Sequence, residues 1–484
     1  MKNNILTKVL CGLLILSFLP FYSYTAKAAS SKQFIEEQLD EYIQETVNIL
    51  AIPGMSIAIS HRGDVIYSRV FGEDIDTNTR FYIGSTTKTF TALAIMQLVE
   101  KGRIDLDQSV SAYLEEFTVS DKITVRQLLH HVSGMTEFDY MGNLSPQSQF
   151  PDLIEDMNTM SLTYEPGELF SYFNPNYSLL GAIVERVSGQ SYTEYIMEHI
   201  IHPLNLDHTS VTGEVDTPGH LSFFGFSIKR TEPHLKYDLP AGFITSTSED
   251  LVRFLEALRM KKPAVGVSPG GIEQMMFSGS FYGMGLMKND ISGRPAIHHG
   301  GALPGYTSNA IMLVEDEYSI AFLINKNHLV NGFVFYPDLT NGIVSILTDQ
   351  EPASRVDYYW MYRLLIILFA ATIIYNLIRI SKMIFRPKQK TIRQRITAGL
   401  VNLVIPIAIL VFIPILVPIV LQRGMTWELA FLLLPDMLIW LFLAIAFHFI
   451  KSIIHFSQLF KHYFNVRKTN IIHSNKLNKR NTSI

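Results

Sequence analysis

Three apolar runs near the C-terminal end constrain this chain more than any other feature. They cover about Leu364–Ile380, Ala398–Leu421 and Leu429–Ile450. As helices rising 1.5 Å per residue, each is long enough to cross a hydrocarbon core of about 30 Å. Their flanks are informative. "RISKMIFRPKQKTIRQR" between the first two runs is basic, as is the tail after Ile450, whereas "QRGMTWE" between the second and third is short and nearly neutral. From Ser354 onward 17 lysines and arginines stand against 3 acidic residues, while the preceding chain carries 23 basic and 41 acidic residues. The basic part is also the apolar part, which points to a lipid bilayer as partner and away from nucleic acid. Buried helices of a soluble domain are the competing reading, and the basic flanks argue against it. The positive-inside bias places residues 381–397 and the C-terminus in the cytoplasm.

The N-terminus reads as a secretory signal. Lys2 and Lys8 precede the apolar stretch "VLCGLLILSFLPFY", and "AKA" at Ala26–Ala28 fits a small-residue cleavage site. An uncleaved anchor is the alternative. Cleavage would remove Cys11, the only cysteine, and with it disulfides, cysteine catalysis and thiolate metal sites. The expected organisation is a signal peptide over 1–28, a soluble domain over 29–348, a polar linker over 349–358, three membrane helices within 359–450 and a basic cytoplasmic tail over 451–484. Both topology signals put the soluble domain outside the cell.

Within 29–348 the periodicity predicts an α+β domain. Ser31–Leu50 reads as a helix. "GMSIAIS" and "DVIYSRVFG" read as paired strands around "HRGD". Helices follow at Thr86–Lys101, "ITVRQLLHHVSG", "NYSLLGAIVERVSG" and "TSEDLVRFLEALRM". Strand-like pieces are "FFGFSIK", "FYGMGLM", "YTSNAIMLV" and "YSIAFLIN". The sheet is expected to join the start of the domain to residues 280–326.

Three stretches carry chemistry. In "FYIGSTTKTFTALAIMQLVEKG", Ser85 and Lys88 stand three apart at a helix start, on one face. A serine hydroxyl becomes a nucleophile when a base takes its proton, and a buried lysine amine can be that base. The bland reading is a serine cap followed by a helical lysine. "FSYFNPNYSLL" sets Tyr172 and Asn174 two apart in a loop before a helix, where a phenol can relay a proton and an amide can hold a lysine and a carbonyl. The bland reading is an aromatic core residue beside a cap. In "AIHHGGALPGYTSNAIML", His299, Gly300 and Gly301 lie between strand-like segments, where glycines admit a substrate backbone.

Taken in order, Ser85-x-x-Lys88, Tyr172-x-Asn174 and His299-x-Gly301 resemble the signature of the serine β-lactamase and penicillin-binding-protein superfamily. The nearest branch holds the class C β-lactamases, their esterase relatives and D-aminopeptidases. "ITVRQLLHHVSGM", "PNYSLLGAIVERVSGQSYTEYI", "LPAGFITSTSEDLVRF" and "GGALPGYTS" are similar to the same family. The resemblance covers about residues 31–348. It implies a β-lactamase/transpeptidase-like fold, with an antiparallel sheet flanked by helices plus a helical subdomain. It also implies an acyl-enzyme on Ser85, proton transfer by Lys88 and Tyr172, orientation by Asn174, an oxyanion hole from the N–H groups of Ser85 and Ala302, substrate contacts at His299 and Gly301, and no metal or cofactor. His299 replaces the lysine of the β-lactamase third motif, so weak β-lactam turnover is expected.

The leading expectation is therefore a membrane-anchored, extracytoplasmic serine hydrolase of amide or ester bonds in D-amino-acid-containing peptides. A second reading rests on the membrane helices, which also resemble the prodrug-activating peptidases of peptide–polyketide pathways; there His234 and Asn309 would bind an asparagine amide. A third is a sensor that acylates without turnover. Asp436, in the last apolar run, reads either as a functional intramembrane acid or as a hydrated carboxylate at a kink.

Overall fold

A computed structural model describes residues 31–481 apart from 138, 141, 143, 353–358 and 422–426. The expected signal peptide and most of the expected linker lie outside the described residues.

The strands are β1 (Gly54–His61), β2 (Asp64–Gly72), β3 (Phe81–Tyr82), β4 (Gly219–Phe223), β5 (Phe226–Arg230), β6 (Thr245–Ser246), β7 (Met287–Ile291), β8 (Arg294–Leu303), β9 (Tyr306–Leu313) and β10 (Tyr318–Ile324). Six form one antiparallel sheet in the order β2-β1-β10-β9-β8-β7. β1 pairs with β10 from Met55 opposite Ile324 to His61 opposite Tyr318. The sheet thus joins the start of the domain to its last strands, as the sequence predicts. The main helices of the domain are α1 (Ser31–Ile49), α2 (Thr87–Glu100), α3 (Pro175–Ser188), α4 (Ser248–Arg259) and α5 (Tyr336–Leu347).

Strand alternation divides the core in two. Ile57, Ile311, Leu313 and Phe322 face α1 and α5, where Ile43, Leu339 and Ile343 bury them. Ala58, Ala310, Met312 and Leu323 face the larger core, with Phe90 and Leu93 of α2, Leu180 and Ile183 of α3, and Phe254 and Leu255 of α4. Helix α2 is surrounded: every residue from Thr87 to Leu98 is buried. A lysine in its first turn is therefore inside the protein, where a charge or amine needs partners.

Two strand expectations are corrected. "FFGFSIK" is not one strand, because Phe224 and Gly225 turn the chain between β4 and β5. Most of "FYGMGLM" is irregular. Its ladder contact is the bridge of Tyr282 with Met287, where β7 begins, and Gly285 has φ +68°.

The apolar runs are helical, in α6 (Tyr359–Phe385), α7 (Ile392–Leu421), α8 (Trp427–Leu433) and α9 (Pro435–Asn481). Three are long and apolar enough to cross a membrane, over Tyr362–Phe385, Ile392–Ile413 and Pro435–Thr469. The third run differs from expectation: Leu434 separates α8 from α9, Pro435 opens α9, and α9 continues through the basic tail. Trp440 and Lys451 of α9 hydrogen-bond Thr372 and Asn376 of α6. Ser452 bonds the Gly399 carbonyl of α7. Asp436 is 2% exposed, accepts the Phe224 N–H at 3.0 Å and lies 3.3 Å from His328 Nε2. The carboxylate fastens the head of α9 to the hydrolase-like domain.

Candidate active site

The site is built where α2 and α3 begin and β8 ends. Ser85 lies in a short turn, Gly84–Thr86, that leads into α2. Gly84 has φ +51°, and a Cβ there would stand 2.7 Å from the Ala302 nitrogen. Gly301 is tighter still. A Cβ on it would be 1.9 Å from the Ile83 carbonyl oxygen and 2.3 Å from Ser308 Oγ. The two glycines let β8 press its backbone against the serine turn. Ser308 Oγ donates to the Ile83 carbonyl at 2.7 Å and meets Thr86 Oγ1 at 2.9 Å, and Thr86 Oγ1 donates to the His299 carbonyl at 3.1 Å. Turn and sheet are stitched on both sides of Ser85.

Lys88, 0% exposed, points back along the helix to Ser85, with Nζ 3.1 Å from Oγ. Its Nζ also donates to Asn174 Oδ1 at 2.8 Å and to the Ala241 carbonyl at 2.7 Å. Both of these oxygens can only accept. Lys88 Nζ thus ties the serine turn to the start of α3 and to the Ala241 backbone. Tyr172 stands over this group, its ring centroid 5.0 Å from Nζ.

The loop carrying Tyr172 is clamped by His131, which has φ +54°. Ser171 N–H donates to the His131 carbonyl at 2.8 Å and Phe173 N–H to its Nδ1 at 3.2 Å, so Tyr172 is held from both flanks. The His131 and Tyr172 rings lie 4.4 Å apart. His131 is completely buried, and its pKa is held well below the ordinary histidine range by burial and then by Lys88.

His299 is 1% exposed. Its Nδ1 donates to the Gly300 carbonyl at 2.7 Å, which leaves Nε2 to accept from the Tyr282 hydroxyl at 3.0 Å. Burial first, and Lys88 second, push its pKa down to about 3. In this arrangement both ring nitrogens are engaged within the protein, by the Gly300 carbonyl and the Tyr282 hydroxyl. Ala302 is exposed at the strand end, beside Ser85.

The other two candidates do not join the cluster. Asn309 pairs with Gly300 on the sheet face opposite Ser308, and its Nδ2 donates to Thr340 of α5 at 3.1 Å. Alternation excludes it from the Ser85 side. His234 lies edge-on to Phe243 and packs over Gly213, with its pKa lowered by burial. Sequence reasoning missed Tyr282, the His131 clamp and the Ala241 carbonyl. His131 and Ala241 lie inside stretches already recognised as family-like, which was the available signal. Tyr282 lies in the segment misread as a strand.

The beta-lactamase family model matches residues 39–337. The protein flp of Staphylococcus aureus (strain MW2) is 28% identical over 321 residues, covering 60% of this chain and 63% of flp. The octameric penicillin-binding protein homologue from Pyrococcus abyssi superposes with a TM-score of 0.58 at 28% identity, over 68% of this chain and 81% of that one. A D-stereospecific amidohydrolase from Streptomyces sp. gives 0.51 at 27% identity, over 60% and 94%. The chain thus spans somewhat less than two thirds of the curated relative's length.

The packing at β8 predicts a sharp contrast. Gly301→Ala should abolish hydrolysis, because its methyl group has no space beside the Ile83 carbonyl. Gly300→Ala, whose Cβ would meet nothing closer than 3.7 Å, should stay within about threefold of wild type. Steady-state kinetics on both variants checks this.

The buried neutral histidines predict acid sensitivity. His299 is protonated near pH ~6.5 when unfolded and only near 3 when folded, so its contribution to stability is full above about pH 6.5 and is lost as pH falls toward 3. One such group adds a slope of about 1 kcal/mol per pH unit in that window. Urea unfolding of His299→Gln should show a shallower loss of stability between pH 6.5 and 4 than wild type. An unchanged slope would mean that the imidazole is not held neutral.

Proposed function

The chain belongs to the beta-lactamase family, and from that premise we propose that it is a membrane-anchored serine hydrolase acting outside the cytoplasm on amide or ester bonds of D-amino-acid-containing peptides. The observation that carries the reading is the buried Lys88 amine, within hydrogen-bond distance of Ser85 Oγ and held by Asn174 Oδ1 and the Ala241 carbonyl. As the free amine, Lys88 turns its lone pair to the hydroxyl and takes its proton as Oγ attacks the scissile carbonyl. Tyr172, held by His131, passes a proton on to the leaving group. The N–H groups of Ser85 and Ala302 receive the oxyanion. Water then resolves the ester on Ser85.

The D-configured substrate class is supported by the D-stereospecific amidohydrolase among the structural neighbours. Weak β-lactam turnover is supported by a neutral, buried His299 where the β-lactamase pattern has a lysine. The asparagine-cap reading loses one of its two residues, because Asn309 faces α5. The membrane anchor and its orientation are supported by the three apolar helices and by Arg386, Lys388, Lys390, Arg393 and Arg395, which cluster at the bundle end away from the domain.

Fluorophosphonate should label one residue, Ser85, and Ser85→Ala should lose the label. Tyr172→Phe should slow acylation by about 10²–10⁴-fold. kcat/KM for a D-aminoacyl amide should exceed that for its L-enantiomer and for nitrocefin. Stoichiometric labelling of Ser85→Ala, or a preference for the L-amide, would contradict the reading.

A further inference from the structure

The β4–β5 hairpin ends in Phe223-Phe224-Gly225-Phe226, with three aromatic residues at a two-residue turn. Phe224 has φ +49° and Gly225 φ +87°, a left-handed pair of the kind such turns use. Asparagine or glycine suits the first of these positions; a phenylalanine there is strained. The strained residue is well held. The Phe224 ring meets Phe369 of α6 at 5.0 Å between centroids, and its N–H bonds Asp436 of α9. Gly225 lies on the Tyr362 ring, 3.4 Å from where its Cβ would stand, and its carbonyl accepts from Lys326.

The turn is therefore seated between two candidate spans, below the head of α6. Phe369 is about 10 Å down the helix axis from Tyr362, where the apolar span begins. At this level α6 exposes Trp360, Leu364, Ile367 and Leu368. The hairpin does the same: Phe226 is 68% exposed and Ile228 48% exposed, pointing outward from a tip whose other side is packed on the helices. Lys229, exposed, follows about 10 Å along the strand from Phe226.

We propose that the β4–β5 tip is a membrane-immersed foot, with Phe226 and Ile228 in the outer leaflet and Lys229 among the lipid headgroups. The proposal rests on the reading of α6, α7 and α9 as membrane spans. The occupant is the bilayer, because the turn that carries these exposed residues is itself packed on Tyr362 and Phe369 of α6 and on Asp436 of α9, the candidate spans. Burying Phe226 and Ile228 in lipid removes the largest apolar exposure on the hairpin from water.

The foot also sets the height of the active site. His220 N–H bonds the Gly305 carbonyl, and Asn327 bonds both His220 and the Leu303 carbonyl, tying the base of the hairpin to the end of β8. From Phe224 to His220 and from Gly305 to Ala302 the chain covers at most about 25 Å. Ser85, beside Ala302, is thereby kept near the headgroups, where an amide or ester tethered to the membrane reaches it without leaving the bilayer.

The test is depth measurement by spin labelling of the full chain in lipid bilayers, with Cys11 replaced by serine. Single labels are placed at Phe226→Cys, at Ile367→Cys on α6 and at Asp121→Cys on the domain surface. The label at 226 should be relaxed more by molecular oxygen than by a water-soluble nickel chelate, like that at 367 and unlike that at 121. If 226 behaves like 121 while 367 stays lipid-exposed, the foot is wrong and the spans stand. If 226 is shielded from both relaxants, a protein surface covers it and the foot is again wrong. If 367 itself favours the nickel chelate, the membrane reading fails and takes the foot with it.

Discussion

Everything in this domain that bears on chemistry depends on one buried amine. Lys88 sits in a helix with no solvent-facing side over its first three turns. An amine there is costly unless its hydrogen-bonding capacity is met. Asn174 brings the start of α3 to it, Ala241 brings a backbone carbonyl, and Ser85 brings its hydroxyl. These contacts make the burial tolerable and fix where the amine stands relative to the Ser85 hydroxyl. Tyr172 and the Ser85 turn are then positioned around it by backbone, through the His131 clamp and the contact of β8 with Gly84.

A second constraint is the close approach of β8. A strand bearing any side chain at position 301 could not lie against the Ile83 carbonyl, so the exposed Ala302 N–H could not stand beside Ser85. His299 contributes from the inside of the same strand. Its two nitrogens are satisfied by Gly300 and Tyr282, and burial keeps it uncharged. The site consequently has no fixed positive charge at the place where the β-lactamase pattern puts a lysine, which bears on which substrates it holds.

The residues legible in the sequence were those whose spacing already encodes proximity. Ser85 and Lys88 share a helix face whatever the tertiary structure does, and Tyr172 and Asn174 share a loop. The apolar spans were legible because hydropathy over some twenty residues outweighs local detail. The remainder depends on register or backbone. Asn309 was misassigned because nothing in "YTSNAIML" says which of two alternating sets faces the serine; Ser308 does, so its neighbour cannot. Tyr282 was hidden in a glycine-rich segment whose β-like composition gave way to irregular turns. The Ala241 carbonyl has no side-chain signature at all. Asp436 was visible as an unusual acid, but its partners, His328 and the Phe224 N–H, come from more than a hundred residues away.

The central claim, that Lys88 is the base for Ser85, is tested most directly by the rate of acylation in Lys88→Ala, followed by rapid-quench mass spectrometry of the Ser85 adduct. The account predicts a loss of about 10²–10⁴-fold, partly restored by a small primary amine in proportion to its free-base concentration. Acylation of Lys88→Ala at the wild-type rate would contradict it.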